Sequence, residues 1–370
     1  MAKGKLLVIS TKGKAFDRGQ QYGSQAHKLI RRNVVVYFDM WRTLWGAQRS
    51  EMLKKSQELI PVIGEYDAEI MAELEGIAQG AGLSLEEVVA INARYEINSS
   101  FGFGFPEIGG ECTSVVALPA VTREGHTIIG QNWDWLPRFQ ELNVILEEER
   151  ENGPNVVTET EAGILAHRGI NSAGVGVCFN GLASSRDSFG ATVPFLLMMR
   201  GILNAENFTQ SLCAVLRAKV TFSGNYAIAA RGGEAIDLEV SPVDVGCVYP
   251  EGGILTHSNH FLALTNRAGM SDIIKRLYPD TLFRYHRARE LLEPDRGHID
   301  VASFRRVFSD HFSYPQSICR HTDPKAEGVK QWTTLFSMIM DLDEPALYIA
   351  EGLPCQNEYY KISPPILRQC

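Results

Sequence analysis

Cys112 is the residue whose surroundings best suit covalent chemistry. The chain has seven cysteines, at 112, 178, 213, 247, 319, 355 and 370. Most sit in apolar runs, such as Gly176-Val177-Cys178-Phe179 and Gly246-Cys247-Val248, and read as small core residues. Cys112 differs, with Gly109-Gly110-Glu111 before it and the hydroxyl pair Thr113-Ser114 after it. A thiol nucleophile needs a base, usually a histidine held by a third group. A residue at a chain start carries another base, its own α-amine, with a pKa of about 7.7–8.0. That second route requires cleavage of Glu111-Cys112 by attack of the thiol on the preceding carbonyl, with Thr113 and Ser114 beside the scissile bond. The histidine route predicts an active uncut chain and one indispensable histidine; both routes remain open on these residues alone.

Other constellations are weaker. Asp134 lies between Trp133 and Trp135, where it suits either a polar role or the cap of a turn. Trp133 and Trp135, with Phe101, Phe103 and Phe105, offer an apolar wall for an acyl group, although paired tryptophans also build cores. The spacing of His257 and His260 suits a metal, but no acidic or cysteine partner is close in sequence, so they read as structural. Cys319-Arg320-His321 suggests a dyad only weakly. No C-x-x-C pair or zinc-ribbon spacing occurs, and Gly174-Val175-Gly176 lacks the third glycine of a dinucleotide fingerprint, since Phe179 stands there. Neither a metal nor a cofactor is expected.

Composition narrows the class. The 370 residues are 45% hydrophobic and 22% charged, with a net charge of −8, the balance of a chain able to bury a sizeable core. The basic spots are short, Lys28 to Arg32 and Arg284 to Arg287, so nucleic acid is not an expected partner. No stretch approaches the roughly 20 apolar residues of a membrane helix, and the opening residues lack a secretory apolar core. The chain therefore reads as cytoplasmic, with no membrane partner and with reduced thiols.

The elements that must position Cys112 change character near it. Apolar steps of three and four predict helices over 18–38, 51–60 and 61–80. Ser84 with Glu87 forms a capping box opening a helix to about Tyr95. A Gly- and Phe-rich loop covers 99–110. Beyond Cys112 the pattern turns to short β-branched strands, at 114–118, 126–130, 143–146, 156–158, 163–166 and 174–179. Helices are expected at 193–204, 208–217 and 271–292, and strands at 226–230, 235–240, 253–257, 333–340 and 346–350. Grouped strands and grouped helices predict an α+β fold, and no internal repeat is visible.

Glu111-Cys112-Thr113-Ser114 followed by Gly130-Gln131-Asn132-Trp133-Asp134-Trp135 resembles the acyl-coenzyme A:6-aminopenicillanic acid acyltransferase (isopenicillin-N acyltransferase) family of N-terminal-nucleophile hydrolases. Further segments agree in order: Tyr22-Gly23, Glu73 to Ala78, Asn92 to Glu96, Asn171 to Gly176, Thr256 to Phe261, Ser317 to Arg320 and Thr334 to Phe336. The resemblance spans nearly the whole chain. It implies a four-layer αββα sandwich over 1–370, divided by autoproteolysis into an associated smaller fragment 1–111 and larger fragment 112–370. It implies Cys112 as nucleophile, and Asn259 as an oxyanion donor, a role that can be worth ~3 kcal/mol. Asp134 and Arg320 match active-site positions, and Arg94 and Glu96 match supporting positions as a charged pair near the site. One position departs from the pattern: Glu111 stands where glycine precedes the nucleophile, and glutamate lacks the backbone freedom that makes a strained scissile peptide cheap.

The expected activity is amide hydrolysis of a small molecule through a thioester on Cys112. The alternative is acyl transfer from a coenzyme A thioester or an amide to an amine such as a β-lactam nucleus; no basic cluster suits coenzyme A phosphates. A binding protein on the same scaffold is a third reading, and a homo-oligomer is left open.

Overall fold

The computed structural model describes residues 6–100, 111–265, 269–328 and 331–368, with Glu111 through its backbone only. Phe103 and Phe105 lie outside the described residues. The chain opens on a strand, β1 (Leu7–Gly13), and six helices: α1 (Ala15–Gln25), α2 (His27–Trp45), α3 (Arg49–Tyr66), α4 (Ala68–Ala81), α5 (Leu85–Asn92) and α6 (Arg94–Ser99). The expected helix over 18–38 is two helices, because the chain turns at Ala26. The expected break at Pro61 falls instead at Asp67, whose side chain caps α4 by accepting from the Glu69 and Ile70 amides. Pro61 is carried inside α3. Ser84 and Glu87 form the capping box, an arrangement worth ~1 kcal/mol.

Helices α1 and α4 cross at backbone contact. A Cβ on Gly19 would meet the Glu73 carbonyl oxygen at 2.0 Å, one on Gly76 the Phe16 carbonyl oxygen at 2.2 Å, and one on Gly80 the Gln20 carbonyl oxygen at 2.2 Å. Only hydrogen fits at such a crossing.

The strands follow: β2 (Glu111–Ala117), β3 (Ile128–Trp135), β4 (Asn143–Arg150), β5 (Val156–Glu161), β6 (Arg168–Asn171) and β7 (Val175–Gly181). After α7 (Phe195–Leu203) and α8 (Phe208–Leu216) come β8 (Gly224–Ala230), β9 (Glu234–Val240), β10 (Val245–Val248) and β11 (Ile254–His257). The chain ends with α9 (Ile274–Leu277), α10 (Asp280–Leu292), α11 (Val301–Phe308), β12 (Thr333–Asp341), β13 (Ala346–Glu351) and β14 (Tyr360–Ile362). Residues 163–166 form turns rather than a strand, and 271–292 is interrupted before α10 at Tyr278-Pro279, where proline disfavours helix in the residue before it.

These strands make two sheets. One runs β1-β4-β5-β6-β7-β8-β9-β10 and the other β11-β2-β3-β12-β13-β14. The β1–β4 pair is parallel; the other described pairs are antiparallel. On β2, alternation places Cys112 and Val116 in the core between the sheets, whereas Val115 and Ala117 pack with Ala288 and Leu292 of α10. The outer face of the first sheet is covered by α7, with Phe179 stacked on Phe195 at 4.2 Å between ring centroids. The result is the four-layer αββα sandwich expected. Among the described residues no helix is long and apolar enough to cross a membrane.

Candidate active site

Cys112 sits in the second residue of β2, an interior strand of its sheet, and is 4% exposed. In the antiparallel register it faces Trp133 of β3, and Glu111 faces Asp134. Directly opposed residues put their side chains on the same face, so the Trp133 ring flanks the thiol between the sheets. The Arg168 guanidinium lies 4.8 Å from the centre of that ring and is ion-paired with Glu159. Burial, and secondarily the charge of Asp134, push the Cys112 thiol up to about 12, against the pull of Arg168 and Arg284. In the uncut chain the thiol is therefore protonated at neutral pH.

The backbone of Cys112 is held on both sides. Its N–H donates to Asn259 Oδ1 at 2.9 Å, and its carbonyl accepts from Arg284 Nη1 at 2.7 Å. Arg284 Nη1 also reaches Thr113 Oγ1 at 3.0 Å, Nη2 reaches Asn259 Oδ1 at 3.0 Å, and Nε reaches Asp280 Oδ2 at 3.0 Å. The planar guanidinium thus spans four groups, a task for which its fork of donors is suited. Asn259 Nδ2, the atom expected to face an oxyanion, donates instead to the Gly181 carbonyl at 2.9 Å.

A second charged layer stands behind this one. Asp134 Oδ1 accepts from Thr334 Oγ1 at 2.6 Å, and its Oδ2 lies 3.5 Å from Arg320 Nε. Arg320 is also ion-paired with Asp280, which joins it to Arg284. Burial raises the Asp134 carboxyl to about 6, although Arg320 and Arg284 oppose the shift. A cleft of about 170 Å³, lined by Asp280, Arg320, Trp332 and Tyr278 among others, opens onto this layer. Asp134 is therefore a strand residue and not the cap of a turn.

Ser114 points between the sheets, where its Oγ accepts from Asn180 Nδ2 at 2.7 Å. His257 is buried and paired with Glu239 at 2.9 Å; burial pulls it down, but the charge of Asp237 and then the Glu239 pairing lift it to about 9. His260 is packed against Thr281 Oγ1 at 3.1 Å. Both histidines are held by protein partners.

Two expectations need correction. Arg94 and Glu96 are not partners: Arg94 Nη1 lies 2.9 Å from Glu161 Oε2, while Glu96 Oε1 accepts the Phe195 amide at 2.9 Å and so caps α7. Two residues apart on α6, the side chains leave nearly opposite sides of the helix and meet different neighbours. Trp135 is fully buried against Tyr95 and Phe139, so its wall is core, whereas Trp133 borders Cys112. Sequence reasoning missed Arg284, Asp280 and Arg168. For Arg284 a signal existed: it occupies the inward stripe Thr281, Arg284, Ala288, Leu292 of α10, where a charge is unusual and demands a buried partner.

A cysteine near the start of an inner strand, between facing sheets clad in helices, is the architecture of N-terminal-nucleophile hydrolases. A profile of the family described as acyl-coenzyme A:6-aminopenicillanic acid acyl-transferase matches residues 121–356. The chain belongs to that family. The matched span contains Asp134, Asn259 and Arg320 and begins after Cys112. The acyl-coenzyme A:6-aminopenicillanic-acid-acyltransferase 40 kDa form of Emericella nidulans is 27% identical over 338 residues, covering 91% of this chain and 90% of its own. Among solved structures, penicillin V acylase from Agrobacterium tumefaciens has a TM-score of 0.46 at 13% identity, covering 68% of this chain and 86% of that one. A mutant conjugated bile acid hydrolase from Clostridium perfringens has a TM-score of 0.40 at 15% identity, covering 68% and 96%.

Proposed function

We propose that the chain is a self-processing amide hydrolase that uses Cys112 as an N-terminal nucleophile. The observation that carries the proposal is the two-sided grip on Cys112, by Asn259 on its amide and Arg284 on its carbonyl. In the first step Cys112 Sγ attacks the Glu111 carbonyl carbon. The C–N bond breaks, the thiol proton passes to the departing nitrogen, and a thioester joins Glu111 to Cys112 Sγ. Water hydrolyses that thioester, leaving fragments 1–111 and 112–370.

The same contacts then serve turnover. Asn259 Oδ1, which held the peptide N–H, accepts one hydrogen of the new α-amine and leaves its lone pair for the thiol proton. The Arg284 guanidinium beside it disfavours the charged ammonium, which keeps the amine a base near neutrality. The thiolate attacks the substrate carbonyl, the amine proton goes to the leaving amine, and water resolves the acyl-Cys112 thioester. Release of Nδ2 from the Gly181 carbonyl frees Asn259 to stabilise the oxyanion. Asp134, Arg320 and Asp280 hold the strand and Arg284 in place. Trp133 borders an apolar acyl group.

A second reading, acyl transfer to an amine, is favoured by the 27% identity to an acyltransferase over 91% of the chain. It uses the same residues, with an amine in place of the second water. The test is intact mass and N-terminal sequencing of purified wild type beside Cys112→Ala. Two wild-type fragments, the larger beginning at Cys112, with an uncut variant support the proposal; an uncut wild type overturns it. A panel of chromogenic amides, with and without a competing amine, then separates hydrolysis from transfer.

A further inference from the structure

Four side chains that this chemistry does not use meet beside Arg320. They are His311, Cys319, His321 and Cys355, each offering one donor atom, and those atoms all lie within 4.8 Å of one another. His311 Nε2 is 3.0 Å from His321 Nε2. His321 Nε2 is in turn 3.8 Å from Cys319 Sγ and 3.5 Å from Cys355 Sγ. A tetrahedral ion with metal–sulfur bonds of about 2.3 Å and metal–nitrogen bonds of about 2.0–2.1 Å separates its ligands by roughly 3.3–3.8 Å. The two separations from His321 to sulfur, 3.8 and 3.5 Å, fall within that range, and the His311–His321 pair lies just below its lower edge.

We propose that His311, Cys319, His321 and Cys355 form a zinc-class metal site. Two sulfurs exclude the hard cations magnesium and calcium, and two nitrogens with two sulfurs in a tetrahedral array favour zinc. Binding releases one proton from each thiol, so two thiolates and two neutral imidazoles balance a divalent ion. All four positions are filled by protein, which makes the site structural. As hydrogen bonding alone the arrangement is poor, because two facing ring nitrogens share one proton at most while two weak thiol donors crowd the same nitrogen.

The site has a clear structural task. Residues 309–332 carry no α-helix or strand among those described, a long stretch for a compact fold. His311 follows α11, Cys319 and His321 lie within the stretch, and Cys355 follows β13, so one ion staples it to the sheet. The ligands already have backbone support: the Cys319 amide donates to the Asp310 carbonyl at 3.0 Å and the His321 amide to the Pro315 carbonyl at 3.1 Å. Arg320 lies between two ligands, so the ion fixes the backbone on both sides of the residue that faces Asp134. Cys319 is buried, Cys355 and His321 are half-buried and His311 is exposed, which gives the ion an entry from solvent. The cluster was not legible in the sequence because Cys355 is 34 residues from its nearest fellow ligand, His321.

The test uses the full chain, as wild type and as Cys112→Ala, stripped with a chelator under reducing conditions and titrated with Co²⁺ alone. A thiolate-to-cobalt charge-transfer band with tetrahedral ligand-field bands, saturating at one equivalent and displaced by Zn²⁺, is expected in both. His311→Ala and Cys355→Ala each weaken Co²⁺ binding by more than about tenfold, the lower bound for loss of a supporting partner. Cys213→Ala, which removes an exposed cysteine outside the cluster, leaves binding unchanged. Circular dichroism verifies folding, and if Cys355→Ala fails to fold, His311→Ala and the wild-type titration decide. Absence of the charge-transfer band in the stripped wild type overturns the proposal. So does a Cys319–Cys355 disulfide in protein isolated without reductant. Neither readout depends on whether Glu111-Cys112 is cut.

Discussion

Arg284 is the side chain on which the candidate site turns, since its guanidinium touches Cys112, Thr113, Asn259 and Asp280 at once. Lysine keeps the charge but not the fork. Arg284→Lys is expected to slow the appearance of the two fragments by at least about tenfold, the effect of one lost charge-assisted hydrogen bond, followed by gel densitometry at constant circular dichroism. Asp134 gives a second test. Its carboxyl is raised to about 6 in the folded chain from an ordinary value of about 3.9. Between those values the folded state holds a proton that the unfolded chain has released, so stability falls as pH rises through about 6. Asp134→Asn should unfold roughly 2–4 °C higher at pH 7.5, with the difference vanishing below about pH 4, while fragment formation slows. A variant less stable at pH 7.5 would show that the Arg320 pairing outweighs burial. At this scale the resemblance made Cys112, Asp134, Asn259 and Arg320 legible. Arg284 and Asp280 were not read: the stripe Thr281, Arg284, Ala288, Leu292 marks Arg284 as inward-facing, but which groups it and Asp280 meet is set only when α10 is laid on its sheet.

Elements from both sides of the proposed cut interlock. β1 lies parallel to β4 over seven residues. Arg18 and Glu73 of the helical segment form a buried cluster with Glu148 and Arg200 of the remainder: Glu73 lies 3.4 Å from Arg18 and 2.9 Å from Arg200. Tyr37 Oη donates to Glu161 at 2.8 Å, and Asn33 Nδ2 to the Ala162 carbonyl at 2.9 Å. Fragments 1–111 and 112–370 are accordingly expected to elute as one species in size-exclusion chromatography and to part only in denaturant. Glu73→Ala leaves Glu148 alone to balance two buried arginines and should cost about 3–5 kcal/mol, as loss of one partner from a buried charge cluster does, read from urea unfolding. The long helices and most strands were legible from apolar period. β1 was not, because its Thr-Lys-Gly end reads as a turn and its residues pair with a strand far along the chain, Leu7 with Val144. Helix α11 and strands β10 and β14 were missed as well; the two strands are only four and three residues long, too short for period to register.

For the molecule as a whole, grouped strands and helices pointed to an α+β fold and the family resemblance to αββα layering, and the structure has both. Which face each strand turns to the core depended on pairing that no local window contains. The proposed mechanism carries a molecule-wide pH dependence. Turnover by the cut enzyme should rise with pH through the α-amine range near 7.7–8.0, displaced downward by Arg284, because only the neutral amine accepts the thiol proton. A profile that instead falls through this range would exclude the amine as base.

The grip on Cys112 comes from far along the chain: Asn259 is 147 residues beyond it and Arg284 172. A ribosome has long passed the cut site before either exists, and the strand and helix that carry them must dock first. On the proposed mechanism, division of the chain would register that synthesis has passed α10 and that its strand and helix have docked. Nascent chains arrested before α10 should stay whole, and the uncut fraction in a cell should measure how many copies are still being made or have failed to fold.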